Sequence, residues 1–305
     1  MKERVIFLAG PTASGKSKIA VALAKKINAE IISCDSMQVY RGMDILASQP
    51  APAFRKRVAH HLLRFLSAEK EFNVSLYRSR ALKKIEAVLR RKKTPLFVGG
   101  SGLYISAVVD GIFALRTENK ALRRKLSREA QKKGSAFLHA RLKIVDPLAA
   151  AKVHPNDAKR IIRALEVYRA CGRPISQLQK ERRGIGDKYE VRIFCLDLPR
   201  EELYRRIGRR VELMFRQGLL KEVKKILKLK LSRTAGYAIG IRELEGYLAG
   251  EYGLESAKEI IKRNTRRYAK RQLAWFRKDK RIKWLETGAE ERPGQTAERI
   301  WRELS

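Results

Sequence analysis

Residues Gly10-Pro11-Thr12-Ala13-Ser14-Gly15-Lys16-Ser17 fit the pattern G-x-x-x-x-G-K-[ST]. The two glycines permit a tight loop whose backbone N–H groups, with the helix N-terminus that follows, point at phosphate oxygens. Lys16 supplies a positive charge, and the Ser17 hydroxyl is placed to hold Mg²⁺. Thr12 and Ser14 add hydroxyl donors. Such a cradle suits a nucleoside triphosphate or another diphosphate, and the motif alone does not choose between them. Two further segments bear on the choice. Asp35 closes the apolar run "EIISC" and is the best placed general base: a carboxylate beside an exocyclic amine accepts its proton as the amine attacks an electrophile. It reads equally as a helix cap or an Mg²⁺ ligand. The run "PLFV", 95–98, ends in Gly99-Gly100-Ser101, where a conventional P-loop NTPase carries an acidic residue for Mg²⁺. A second glycine loop there brings another stretch of backbone close to the same ligand.

These residues need elements to hold them. "RVIFLA", 4–9, is a short apolar run that reads as a buried parallel strand. Ile19, Ala20, Leu23, Ala24 and Ile27 recur at helical spacing, so the glycine loop lies between a strand and a helix over 16–27, the context the motif requires. Strands follow at 30–34 and 95–98, with a helix over 74–91 between them. This alternation predicts an α/β fold with a mostly parallel sheet flanked by helices. Ligands of such sheets bind beyond the carboxyl ends of the strands, where Lys16, Asp35 and Ser101 all fall. From 113 to 188 the pattern turns helical and basic. "YEVRIFCLDLP", 189–199, is a strand again after the turn signal "GIGD". The expectation is a discontinuous core domain, 1–112 and 189–305, interrupted by a helical insertion over 113–188. The remainder from 200 reads as mainly helical, and the last twenty residues as a polar tail with a short amphipathic end (Ile300, Trp301, Leu304).

The chain has 305 residues with 69 Lys+Arg against 32 Asp+Glu, a formal charge of +37 that favours polyanionic partners, nucleic acid first. Over 262–284, eleven Lys and Arg surround Tyr268, Trp275, Phe276 and Trp284. The basic side chains suit phosphates, and the aromatics suit stacking on bases or burial in the core. The reading is both: aromatics mostly in the core, some charges on RNA. Cys34, Cys171 and Cys195 are widely spaced and make no metal or disulfide pattern. His60 and His61 lack a third ligand at metal spacing and read as structural hydrogen-bonding groups. His154, in "HPND", precedes a helix capped by Asn156 or Asp157. The opening residues lack signal-peptide architecture, no apolar run approaches the roughly 20 residues of a membrane span, and the expected location is the cytoplasm.

Taken in order, GPTASGKS (10–17), DSMQVYRGMDI (35–45), VGGSGLY (98–104), HPNDAKRIIRALEVYRACGRPIS (154–176) and NTRRYAKRQLAWFR (264–277) resemble the tRNA dimethylallyltransferase family over nearly the whole chain. The resemblance implies a P-loop NTPase-like fold and transfer of a dimethylallyl group from dimethylallyl diphosphate to N6 of the adenosine 3′ of the anticodon. The glycine loop, residues 12–17 above all, then cradles the leaving diphosphate, with Mg²⁺ as cofactor. The partners implied are the tRNA anticodon stem-loop and the prenyl diphosphate, with no membrane, for a monomeric enzyme. Asp35 matches the family's proposed base, and Ser101 stands where threonine is usual. Arg210 matches an arginine assigned to the diphosphate, and Arg123 a position linked to activity. Asp35, Ser36, Met37 and Gln38, then Lys159, Arg160, Ile161, Ile162 and Arg163, and Tyr237 to Arg242 with Gly240 and Arg242 foremost, match tRNA-contacting stretches. Two departures stand out: "LASQP" at 46–50 where members carry Gly-Thr-Ala-Lys-Pro, and Ile241 where tyrosine is common.

Two other classes share parts of these signals. A P-loop kinase acting on a nucleoside or an RNA end would use the same Lys16 and Ser17. A non-catalytic RNA-binding protein would keep only the basic surface.

Overall fold

The computed structural model describes residues 2–113, 120–288 and 290–305. The expected start of the insertion, at 113, borders residues that lie outside this set. Contacts divide the chain into two units, Met1–Val109 with Ile185–Ser305, and Asp110–Gly184.

In the first unit, β1 (Arg4–Ala9) is followed by α1 (Lys16–Lys26), β2 (Ala29–Ser33), α2 (Pro52–Arg57), β3 (His60–His61), α3 (Val74–Arg90), β4 (Thr94–Gly99) and α4 (Gly102–Val109). The second unit holds α5 (Lys120–Lys133), α6 (Ser135–Val145), α7 (Pro147–Lys152), α8 (Ala158–Cys171) and α9 (Ile175–Lys180). The first then resumes with β5 (Glu190–Asp197), α10 (Arg200–Arg216), α11 (Leu219–Ile226), α12 (Ile241–Leu248), α13 (Leu254–Phe276), β6 (Ile282–Glu286) and α14 (Pro293–Arg302). The six described strands form one sheet in the order β3-β2-β4-β1-β5-β6, and every pairing is parallel.

Side chains alternate across a strand, so each apolar run feeds both faces. Val5, Phe7 and Ala9 join Ile32, Phe97 and Ile193 beneath α3, α4, α11 and α12, with Phe7 stacked on Phe97 at 4.6 Å. Ile6 and Leu8 join Ile31, Leu96, Val98 and Phe194 on the other face beneath α1 and α14. The insertion has its own small core of Leu126, Leu138, Leu142, Ile161, Leu165 and Val167. Asp157, rather than Asn156, caps α8 by accepting the Arg160 N–H at 3.1 Å.

Three sequence expectations need correction. β6 lies within the stretch read as helical. Its burial repeats only at Ile282 and Leu285, with lysine and glutamate on its exposed positions, so it carries neither a continuous apolar run nor a clean alternation. The polar tail is a helix: Ala297 and Ile300 are fully buried and seal α14 onto α1. Among the aromatics of the basic stretch, Phe276 is core and Trp284 half-buried. Trp275 is exposed, with its edge where a Cβ on Gly102 would fall, 2.3 Å away.

Candidate active site

The turn after β1 is built from backbone geometry that its sequence anticipates. Gly15 sits at φ +88° as the N-cap of α1, and Gly10 at φ +152° lies where a Cβ would press on Ser14 and Leu196. The loop folds around Lys16, whose Nζ donates to the carbonyl oxygens of Gly10 (2.9 Å) and Pro11 (2.6 Å) and to Ser14 Oγ (3.3 Å). Burial lowers the Lys16 pKa from its ordinary 10.5 to about 8, against the opposing pull of Cys195 and Asp35. A cleft of about 600 Å³ opens over this loop and reaches Asp35, Gly99 and Gly100.

Asp35 lies just past β2, where one carboxylate oxygen accepts the Met37 N–H at 2.8 Å. Ser101, at the start of α4, accepts the Ser36 N–H on its hydroxyl at 3.2 Å and donates its own N–H to the Cys34 carbonyl at 3.2 Å. The ends of β2 and β4 are so close that a Cβ on Gly99 would fall 2.0 Å from the Cys34 oxygen. Tyr268 of α13 lies near Asp35 and Ser101, and burial, with the Asp35 charge nearby, raises its phenol well above the ordinary 10. Cys34 and Cys195 are pushed up to about 12 by burial, so both remain thiols.

Arg210 comes from α10. That helix buries Leu203, Ile207, Val211 and Met214, which leaves Arg206 and Arg210, one turn apart, beside the cleft. Arg210 Nη1 donates to Thr12 Oγ1 at 2.9 Å, and Nη2 bonds the Ser48 hydroxyl. Burial lowers its pKa, with Asp35 raising it. Arg209 also lines the cleft. Lys16 of the loop therefore shares the cleft with Arg206, Arg209 and Arg210, of which Arg206 is paired with Glu202 at 2.6 Å. Arg206 and Arg209 were not picked out in the sequence, although the four-residue step from Arg206 to Arg210 on an amphipathic helix was the available signal.

The segment "LASQP" is held by side chains. Gln38 donates to the Ser48 carbonyl at 3.2 Å, and Gln49 donates to the Gln38 carbonyl at 2.8 Å. Glu222 of α11 accepts the N–H groups of Asp44, Ile45 and Leu46 at 2.8 to 3.1 Å. Nothing in the local sequence flags Glu222, which acts from far along the chain. Ile241 is buried at the start of α12, behind Gly240 at φ +111°.

The insertion residues separate into two kinds. Ile161 and Ile162 are buried in its core, so their side chains are not available to RNA, a correction to the contact stretch expected at 159–163. Arg160 is exposed and pairs with Asp157. Arg163 (3.0 Å) and Arg123 (2.9 Å) both bind Glu166, which is fully buried. Arg123, expected with the catalytic group, is thus engaged within the insertion by a carboxylate that has no access to water. His60 and His61 act as expected: His60 bonds the Val58 carbonyl at 2.8 Å and His61 bonds Glu30 at 2.6 Å.

Among the described residues no group of three His, Cys, Asp or Glu could enclose a metal ion. No described helix is long and apolar enough to cross a membrane.

The family model described as IPP transferase matches residues 38–279, and that described as isopentenyl transferase matches 3–62. The chain is 44% identical over 287 residues to the tRNA dimethylallyltransferase of Geobacter sulfurreducens, covering 93% of this chain and 92% of the relative. It is 44% identical over 292 residues to that of Carboxydothermus hydrogenoformans, covering 95% and 94%. Its structure matches the crystallised tRNA isopentenylpyrophosphate transferase of Bacillus halodurans with a TM-score of 0.72 at 36% identity, over 99% of this chain and 97% of the other. A eukaryotic dimethylallyltransferase solved acting on tRNA matches with a TM-score of 0.80 at 28% identity, over 98% and 77%.

Proposed function

The chain belongs to the IPP transferase family of tRNA dimethylallyltransferases, and from that premise we infer that it prenylates tRNA: it moves a dimethylallyl group from dimethylallyl diphosphate to N6 of the adenosine 3′ of the anticodon and releases diphosphate. The observation that carries this reading is the shared cleft, in which one wall is the phosphate loop with Lys16 and Arg210 and another is the Asp35 carboxylate.

In this reading the adenine is turned out of the anticodon loop, a cost of a few kcal/mol. Asp35 accepts a hydrogen bond from the N6 amine and takes its proton as nitrogen bonds to the first carbon of the allyl chain. The carbon–oxygen bond breaks, and its electrons leave on the diphosphate. Backbone N–H groups of residues 13–17, together with Lys16, Arg206, Arg209 and Arg210, meet the charge that develops there. Arg123, through Glu166, holds α5 to α8. An Mg²⁺ ion suits this site if held mainly by the diphosphate, because Ser17 offers a hydroxyl and the described residues provide no cluster of three His, Cys, Asp or Glu to cage it. Bound there, it would offset leaving-group charge.

The test is incubation of unmodified tRNA with the protein, dimethylallyl diphosphate and Mg²⁺, followed by mass spectrometry of the nucleosides. Prenylated adenosine is expected; a competent tRNA left unmodified would overturn the reading. A P-loop kinase is disfavoured because β4 ends in two glycines where a metal-holding carboxylate is needed. Labelled γ-phosphate appearing in an RNA product would support it instead.

A further inference from the structure

On its buried stripe α13 carries Ala257, Ile261, Ala269, Gln272 and Phe276. Four are apolar and one is an amide. A buried amide is costly unless every polar atom finds a partner. Gln272 meets that demand with two loops of the cleft. Its Oε1 accepts the Thr12 N–H at 2.8 Å, and its Nε2 donates to the Gly100 carbonyl at 2.9 Å.

The surroundings are fitted to this bridge. A Cβ on Gly100 would lie 2.1 Å from Gln272 Nε2 and 3.1 Å from the Gly10 oxygen. The second glycine of "VGGSG" is therefore the residue that lets the amide in. From Gly100 the chain continues directly to Ser101, whose hydroxyl holds the Ser36 N–H beside Asp35. At the other end, Thr12 also receives Arg210 on its hydroxyl. One continuous path thus runs from the phosphate loop, through Gln272, to the loop that carries the carboxylate.

We propose that Gln272 is a positioning residue: it fixes the shape of the phosphate loop and its register against Asp35. This deepens the reading above and rests on residues 10–17 being the cradle of a diphosphate. In-line displacement places nucleophile, carbon and leaving oxygen on one axis, so misplacement of about 1 Å costs about a hundredfold in rate. Gln272 touches no reacting atom in this scheme. It acts through the two backbones it joins.

The experiment compares wild-type protein with Gln272→Met, close in shape but unable to hydrogen-bond strongly, and Gln272→Glu, which keeps the acceptor for Thr12 and loses the donor to Gly100. Pyrophosphate affinity is measured by calorimetry, tRNA affinity by filter binding, turnover per folded molecule by nucleoside mass spectrometry, and stability by thermal unfolding. Gln272→Met should weaken pyrophosphate about tenfold, the effect of losing one to two net hydrogen bonds. It should lower kcat at least as much and leave tRNA affinity within about twofold, the range of a surface left unaltered. Gln272→Glu should weaken pyrophosphate further than Met, because it puts a negative charge beside the anion. Unchanged pyrophosphate affinity in both variants would overturn the proposal. So would a loss confined to tRNA affinity, or a fall in activity that merely tracks the unfolded fraction. A wild-type protein that binds pyrophosphate but never prenylates tRNA would refute the functional reading while the pyrophosphate comparison still decides the role of Gln272.

Discussion

Lys16 shows how one residue balances desolvation against the charge its ligand demands. Its folded pKa of about 8 lies below the ordinary 10.5, so between these values the unfolded chain binds more protons. This group therefore costs stability below about pH 8, and that cost is relieved as pH rises toward 10.5. A bound diphosphate reverses the preference and draws the proton back. Pyrophosphate affinity should consequently fall above pH 8 by up to about tenfold per unit, with proton uptake visible as buffer-dependent binding enthalpy in calorimetry. Lys16→Arg, charged throughout, should flatten that slope. At Asp35 the expectation is sharper: Asp35→Asn should lower turnover by about 10² to 10⁴ while tRNA binding persists, as filter binding and nucleoside analysis would show. Lys16 and Asp35 were legible in the sequence because each sits at a strand end in a recognisable string. Gln272 and Glu222 were not, because their partners are backbone groups 172 to 260 residues away and neither side chain carries a local signature.

The elements with a single strong period were readable: β1, α1, α3, β4 and β5 fall within two residues of expectation, since buried parallel strands are apolar without interruption and α1 and α3 follow clear helical spacing. β6 escaped, and α14 was legible only as a short amphipathic end at Ile300 and Leu304. β6 is an edge strand whose Lys283 continues the charge pattern of the helix before it, whereas α14 shows so few apolar positions that its burial depends on the partner it meets. Each makes a measurable contribution. Ile300→Ala should lower unfolding free energy by about 2–5 kcal/mol in urea titration. Gly99→Ala should cost about 1–3 kcal/mol or more, since backbone must move away from Cys34. In the insertion, Glu166→Ala should cost about 1–3 kcal/mol: it removes the carboxylate that ties α5 to α8, while Arg123 and Arg163 keep contact with solvent.

At the scale of the whole chain, a formal +37 acts through ions rather than through fold. If six phosphates are neutralised, tRNA affinity should drop about 10³-fold between 50 and 200 mM salt; a flat titration would remove the phosphate backbone from the account. The sequence placed this charge on RNA but not its distribution, because basic residues such as Arg123 and Arg163 turn out to serve internal carboxylates. The sheet has a further consequence for how the protein is made. β1 lies between β4 and β5, and Arg4 donates to the Leu304 carbonyl, so the first strand and the last residues depend on each other. A nascent chain on the ribosome has synthesised every residue proposed above to act on the substrates before α14 appears, yet the outer face of α1 is still bare. A stop codon just after Arg292 would strip Pro293 and Thr296 from the cleft wall and the cover from α1, and would deliver the product to cellular quality control.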